Sequence, residues 1–143
     1  MKYEVYTDGA CQLETKRCSS AFLVLTQRTF VMKDYITFHG GSINESETVA
    51  LGYAAHRLIP IVQKGDEVIF HTDSISAMEF VKKFLEDGII RTRNDLVKDA
   101  LISVMVLQSN CKVSIVKVRG HKAKCNINNY VDLYCKHGLY YGE

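Results

Sequence analysis

Hydrophobic periodicity changes character near residue 40, and that change constrains the fold more than any other feature of the chain. Lys2 to Asp8 (KYEVYTD) alternates, with Tyr3, Val5 and Thr7 on one face, as a strand does. Ala21 to Thr26 (AFLVLT) is a short apolar run, Gln27-Arg28 a polar tip, and Phe30 to Phe38 (FVMKDYITF) a third strand, so the spacing predicts an antiparallel meander that Gly40-Gly41 breaks. The pattern then becomes helical. From Asn44, apolar Val49, Ala50, Tyr53, Ala54 and Leu58 recur at three- and four-residue steps, with Glu45 and Glu47 in the favourable first turn and Pro60 at the end. Gly65-Asp66 is a turn and Glu67 to His71 (EVIFH) a central strand. A helix from Ser74 to Glu86 closes at Asp87-Gly88, and another covers Asn94 to Gln108. Lys112 to Val118 is a fifth strand and Asn128 to Lys136 a last helix. The order βββαβααβα predicts an α/β fold: a five-stranded mixed sheet, part antiparallel meander and part parallel, with helices on both faces.

Composition narrows the class. The 143 residues are 47% hydrophobic and 24% charged, with eight tyrosines, six phenylalanines and one proline. That suits one globular domain over residues 1–143 and excludes disordered and collagenous chains. No apolar run approaches the ~18–20 residues that span a bilayer. Glu4 and Asp8 stand where a signal peptide needs an apolar stretch, so the expectation is a cytoplasmic protein with no membrane partner. Five cysteines, none spaced C-x-x-C, read as reduced thiols. Net charge is only +2. Cys111–Glu143 nonetheless carries six Lys/Arg against two acids, and such a segment fits a polyanion contact as well as a solvated surface.

Asp8 ends the first strand and Asp73 the fourth, in the similar strings Tyr6-Thr7-Asp8-Gly9 and His71-Thr72-Asp73-Ser74. Ligands of open α/β sheets gather outside the carboxyl ends of adjacent strands, where strand order reverses. Two carboxylates there repel unless a cation lies between them. Glu47 on the first helix and Asp132 on the last could complete a ring of four, an all-oxygen set suited to Mg²⁺ or Mn²⁺. Four acids can hold two metals about 3.5–4 Å apart, the arrangement that activates water in phosphodiester cleavage. Aspartates at strand ends also cap turns and helices, so spacing alone leaves both readings open.

Four blocks of the chain together resemble ribonuclease H of type 1: Tyr6-Thr7-Asp8-Gly9-Ala10, Asn44-x-x-Glu47 followed by Ala50, Thr72-Asp73-Ser74, and Val118-Arg119-Gly120-His121 with Asn128-x-x-x-Asp132. The resemblance spans nearly the whole chain. It implies hydrolysis of the RNA strand of RNA/DNA hybrids with two divalent ions, Mg²⁺ or Mn²⁺ in its place, held by Asp8, Glu47, Asp73 and Asp132. Glu45 competes with Glu47, which alone keeps the family's spacing to the small residues beyond. His121 matches a loop histidine of the family that moves protons or aids product release. Ser42 and Asn44 match positions that grip the DNA strand, although Ser42 suits turn-capping equally. Arg119, Lys122, Lys124 and Asn128 complete the expected substrate contacts, and no obligate protein partner is implied.

The chain also departs from the family. Gln12–Cys18 (QLETKRC) replaces a glycine-rich turn that lets RNA approach the backbone, and Ile75 stands where a polar groove contact is common. Between the second and third helices only Arg91 and Arg93 stand where relatives carry a basic protrusion. Two other readings keep the same fold: a nucleic-acid-binding protein that cuts weakly or not at all, and a DNA-acting nuclease or resolvase. A zinc site of His121, Cys125, Cys135 and His137 has the spacing of no common zinc module. Tyr130, Tyr134, Tyr140 and Tyr141 could stack bases, but the helical spacing of the first two fits core packing.

Overall fold

A computed structural model describes residues 1–118 and 126–142. Its strands are β1 (Lys2–Cys11), β2 (Arg17–Thr26), β3 (Thr29–His39), β4 (Glu67–Thr72) and β5 (Lys112–Lys117). Its helices are α1 (Ile43–Leu58), α2 (Ile75–Asp87), α3 (Asp95–Asn110) and α4 (Asn126–Tyr141). The sheet runs β3-β2-β1-β4-β5. β1 pairs antiparallel with β2 and parallel with β4, so chain order reverses at β1 and β4.

Period-two alternation divides the strands between two cores. On β2, Phe22 and Val24 face a core shared with Leu51 and Leu58 of α1, Val81 of α2 and Leu101 of α3. Their neighbours Ala21 and Leu23 face the other side, where Val131 and Cys135 of α4 cover them. β2 is therefore buried on both faces, which explains why its sequence is an unbroken apolar run. Each fully buried Phe or Leu contributes about 1.5–3 kcal/mol. The expected five-stranded mixed sheet with helices on both faces is the observed fold.

The structure differs from expectation at two sets of element ends and at one pair of cysteines. β1 runs on to Cys11 and β2 begins at Arg17, because the hairpin ladder continues past Gly9, with Ala10 opposite Ser19 and Cys11 opposite Cys18. α4 continues five residues beyond Lys136. Gly138 packs there instead of ending the helix: a Cβ at this position would lie 2.6 Å from the Tyr35 ring. The third difference corrects the thiol reading. Cys11 and Cys18, directly opposite with Cα atoms 4.1 Å apart, form a disulfide. The pairing depends on hairpin register, which cysteine spacing does not reveal. Cys111 and Cys135 are free and buried.

Candidate active site

The parallel register between β1 and β4 builds the site. Tyr6 faces His71 across the two strands, so Asp8 and Asp73, each two residues further, emerge together at the carboxyl edge of the sheet. α1 brings the third acid. Its N-cap Ser42 accepts from the Glu45 N–H, and Glu45 Oε1 accepts from the Ser42 N–H, a reciprocal capping box. Glu45 is thereby spent on the helix end, and Glu47 turns inward. One carboxylate oxygen from each of Asp8, Glu47 and Asp73 lies within 4.8 Å of the others.

Gly9 makes this approach possible. Its N–H donates to Asp8 Oδ1 and to Glu47 Oε1, both at 2.9 Å. A Cβ at Gly9 would sit 2.5 Å from Ser46 Oγ and 2.6 Å from the Glu47 nitrogen, so only glycine lets β1 lie this close to α1. The Ser20 hydroxyl, donating to the Ser46 carbonyl at 2.6 Å, fastens α1 to the sheet from the other side.

Burial and mutual repulsion set the electrostatics of the trio. Asp8 and Glu47 are buried, at 7% and 6% exposure. Burial first, and then the neighbouring acids, raise the Glu47 carboxyl far above its ordinary range. Burial also raises Asp8, with Asp132 and Asp73 adding to the rise and a hydrogen bond with Glu47 opposing it. Glu47 Oε2 is buried with no hydrogen-bond partner. An orphaned carboxylate oxygen inside an all-oxygen cluster fits a hard divalent cation, which would satisfy it and reverse the repulsion.

Asp132 stands on α4 beside Asp8, within reach of its hydrogen-bonding influence but outside the tight trio. Lys136, one turn on, donates to Asp132 Oδ2 at 3.1 Å. Cys135 points into the sheet, its thiol donating to the Asp8 carbonyl at 3.6 Å and the Ser19 carbonyl at 3.3 Å. His137 is on the exposed side of α4, so these two do not share a zinc site.

The expected substrate contacts divide. Asn44 is exposed and lines a cavity of about 280 Å³ with Ser76, Arg91 and Thr92 between α1, α2 and the approach to α3. Ser42 serves as the α1 cap, and Asn128 is buried on α4. Ile75, exposed, opens α2 after the Ser74 cap that follows Asp73. Arg119, His121, Lys122 and Lys124 lie outside the described residues, as does Cys125. Sequence reasoning passed over the Gly9 N–H and Lys136. The signals were an Asp-Gly pair at a strand end and the four-residue step from Asp132.

A carboxylate cluster of this kind, at the strand-order reversal of a mixed sheet, defines an α/β enzyme with a site typical for divalent metal. The RNase H family profile matches residues 1–140, and the chain belongs to that family, whose members cut the RNA strand of RNA/DNA hybrids. No curated protein matches the chain in sequence. Among solved structures it is similar to RNase H1 of the halophilic archaeon Halobacterium salinarum, at 18% identity and TM-score 0.68, covering 97% of this chain and 98% of that one. It is also similar to the PFV RNase H domain, at 16% identity and TM-score 0.72, covering 98% and 96%. At such identities the likeness is one of fold.

Proposed function

We propose that this chain is a single catalytic domain that hydrolyses the RNA strand of RNA/DNA hybrids, with Asp8, Glu47, Asp73 and Asp132 holding two magnesium ions or manganese in their place. The observation that carries the reading is the trio within 4.8 Å, two of its acids buried and Asp73 half-buried, with Glu47 Oε2 left unpartnered. Bound there, the ions supply Lewis acidity for an attacking water and a leaving oxygen. The chain's own groups do the rest. The Gly9 N–H fixes one oxygen of Asp8 and one of Glu47, so their remaining oxygens are presented without rearrangement. Lys136 holds Asp132 at the rim. His121 carries a proton to or from the product side. Asn44 and Ser42 meet the DNA strand, while Arg119, Lys122 and Lys124 contact the substrate backbone. The 2′-hydroxyls mark the strand to be cut.

No helix among the described residues is long and apolar enough to cross a membrane. A cytoplasmic site of action belongs to this reading through its substrate, since hybrids arise where nucleic acid is copied. The Cys11–Cys18 bond removes the thiol argument for it.

The test is cleavage of an end-labelled hybrid beside matched duplex DNA and duplex RNA, with Mg²⁺ or Mn²⁺. Cutting confined to the RNA of the hybrid is expected. Binding without cutting, or cutting of duplex DNA, would replace this reading.

A further inference from the structure

The hairpin that departs from the family pattern forms a cleft with the end of α4. Cys11, Gln12, Leu13, Glu14, Thr15 and Tyr140 line about 500 Å³ of space. Two large apolar side chains stand at it almost bare: Leu13 is 92% exposed and Tyr140 63%. Elsewhere on α4 the aromatic surface is engaged. Tyr134 packs edge-on to Tyr35, Tyr130 stacks on Tyr134 under Lys33, and Tyr141 rests against His137. Tyr140 faces the cleft.

The walls of this cleft are fixed in advance. The disulfide closes the hairpin at its last rung, and inside the loop Gln12 N–H donates to the Arg17 carbonyl and Lys16 N–H to the Gln12 carbonyl. The Thr15 hydroxyl donates to Gln12 Oε1 at 2.7 Å. Arg17 then ties the hairpin to the other wall, donating from Nε to the Leu139 carbonyl at 2.9 Å and from its guanidinium to the Gly142 carbonyl. Such bracing removes most of the ordering cost that an open loop would impose on a ligand.

Position supplies the occupant. Cys11 is three residues beyond Asp8 on the same strand, and Tyr140 is eight beyond Asp132 on the same helix. At the rise of a strand and of a helix, both are about 10–12 Å from the carboxylates. That is about three nucleotides along a stacked strand at 3.4 Å each. The strand that is cut must lie across Asp8, and the cleft stands at the hairpin into which β1 continues beyond it. An exposed ring opposite an exposed aliphatic side chain, with polar Gln12 and Thr15 between, suits the flat face of a nucleobase and its ribose.

We propose that the hairpin–α4 cleft is a nucleotide subsite on the cut RNA strand, about three nucleotides from the scissile phosphate, in which the Tyr140 ring stacks on an unpaired base and Leu13 closes over it. This rests on the hybrid-cleaving reading above. The substrate it favours is a hybrid whose RNA continues as a single strand past the duplex end. The rigid cleft takes the place of the flexible glycine turn.

The experiment uses the full chain and two labelled hybrids, one blunt and one with an unpaired RNA extension. Binding is followed by anisotropy in Ca²⁺, cleavage in Mg²⁺, and stacking by 2-aminopurine placed at successive RNA positions. Tyr140→Ala should raise KM and Kd for the extended hybrid about 5- to 10-fold with kcat within about twofold, while Tyr140→Trp retains affinity. Quenching of 2-aminopurine near the third position should vanish in Tyr140→Ala. Tyr141→Ala, more exposed but outside the lining of the cleft, should change neither. Equal KM and Kd for wild type and Tyr140→Ala on both hybrids, or quenching that survives the substitution, overturns the subsite. Failure of the wild type to cut either hybrid overturns the catalytic reading instead, and the anisotropy and quenching still decide the subsite.

Discussion

The two faces of the sheet are built to different standards. Among the described residues, the face under α1, α2 and α3 gathers eighteen buried side chains into one cluster, whereas the face under α4 gathers four. The cluster of the thick face is made of apolar side chains, and the buried Glu47 of α1 stands outside it. The thin face carries Asp132, its partner Lys136, and the Cys135 thiol against the backbone of Asp8. Asp8 itself sits between them, anchored to α1 through Gly9 and approached by Asp132 from α4. One face thus supplies stability and the other is free to carry polar groups that a dense core would exclude.

The sharpest way to break this division is to change the chemistry while leaving the packing alone. Asp73→Asn keeps the shape of the site but removes an anionic ligand, and activity on hybrid should fall about 10³-fold or more, about 4 kcal/mol of barrier. Thermal melting should be unchanged or higher, and hybrid binding retained. His121→Ala, measured alongside, should lose only about 10²-fold, because water or buffer can move a proton in its place. Activity of Asp73→Asn equal to wild type in saturating Mg²⁺ would end the metal-site assignment.

Packing substitutions probe the two faces directly. Leu51→Ala on the thick face should cost about 2–5 kcal/mol of stability in urea unfolding. Val131→Ala on the thin face removes less buried surface and should cost about 1.5 kcal/mol. Equal losses would mean the faces are not distinct.

How much of this was legible depends on the range of the interaction concerned. The strands and helices follow from local periodicity, and Asp8 and Asp73 could be placed together because parallel pairing was implied by strand–helix alternation. Choosing Glu47 over Glu45 needed the family spacing, although Ser42 and Glu45 already have the S-x-x-E form of a capping box. The Cys11–Cys18 bond was hidden because it depends on a hairpin register that no short window contains. The reach of α4 past Gly138 was hidden for a related reason: Tyr35, against which that glycine packs, is about a hundred residues away in sequence.

Acidity offers a gentler test. Because burial and neighbouring acids raise the carboxyls of Asp8 and Glu47 in the folded protein, the fold binds more protons than the unfolded chain. Metal-free protein should therefore be most stable below the ordinary carboxylate range and lose stability as pH rises through the folded value of Asp8, about 7. Melting in EDTA from pH 4 to pH 8 should show a decline of a few degrees. Asp8→Asn should flatten it, and Mg²⁺ should restore more at the alkaline end. A melting temperature that climbs over this range in EDTA contradicts the electrostatics described.

The smallest effect concerns the basic stretch of sequence from the end of β5 to α4. Lys117, Arg119, Lys122 and Lys124 should hold phosphates, so the logarithm of hybrid affinity should fall by about 0.7–0.9 per contact for each decade of salt. Neutralising any one of them should reduce that slope by about one contact. A slope indifferent to salt would remove these side chains from the interface.

The thiol of Cys135 gives the protein an internal clock. It is wholly buried, and burial pushes it up to about 12, so in the closed protein it is neither accessible nor ionised at neutral pH. An alkylating reagent can reach it only while α4 is lifted from β1 and β2. With Cys125 replaced by serine, Cys111 under the thick face serves as the second hand of the same clock. The ratio of their labelling rates reads how often the helix bearing Asp132 departs while the rest of the molecule stays shut, one event at a time and without denaturant.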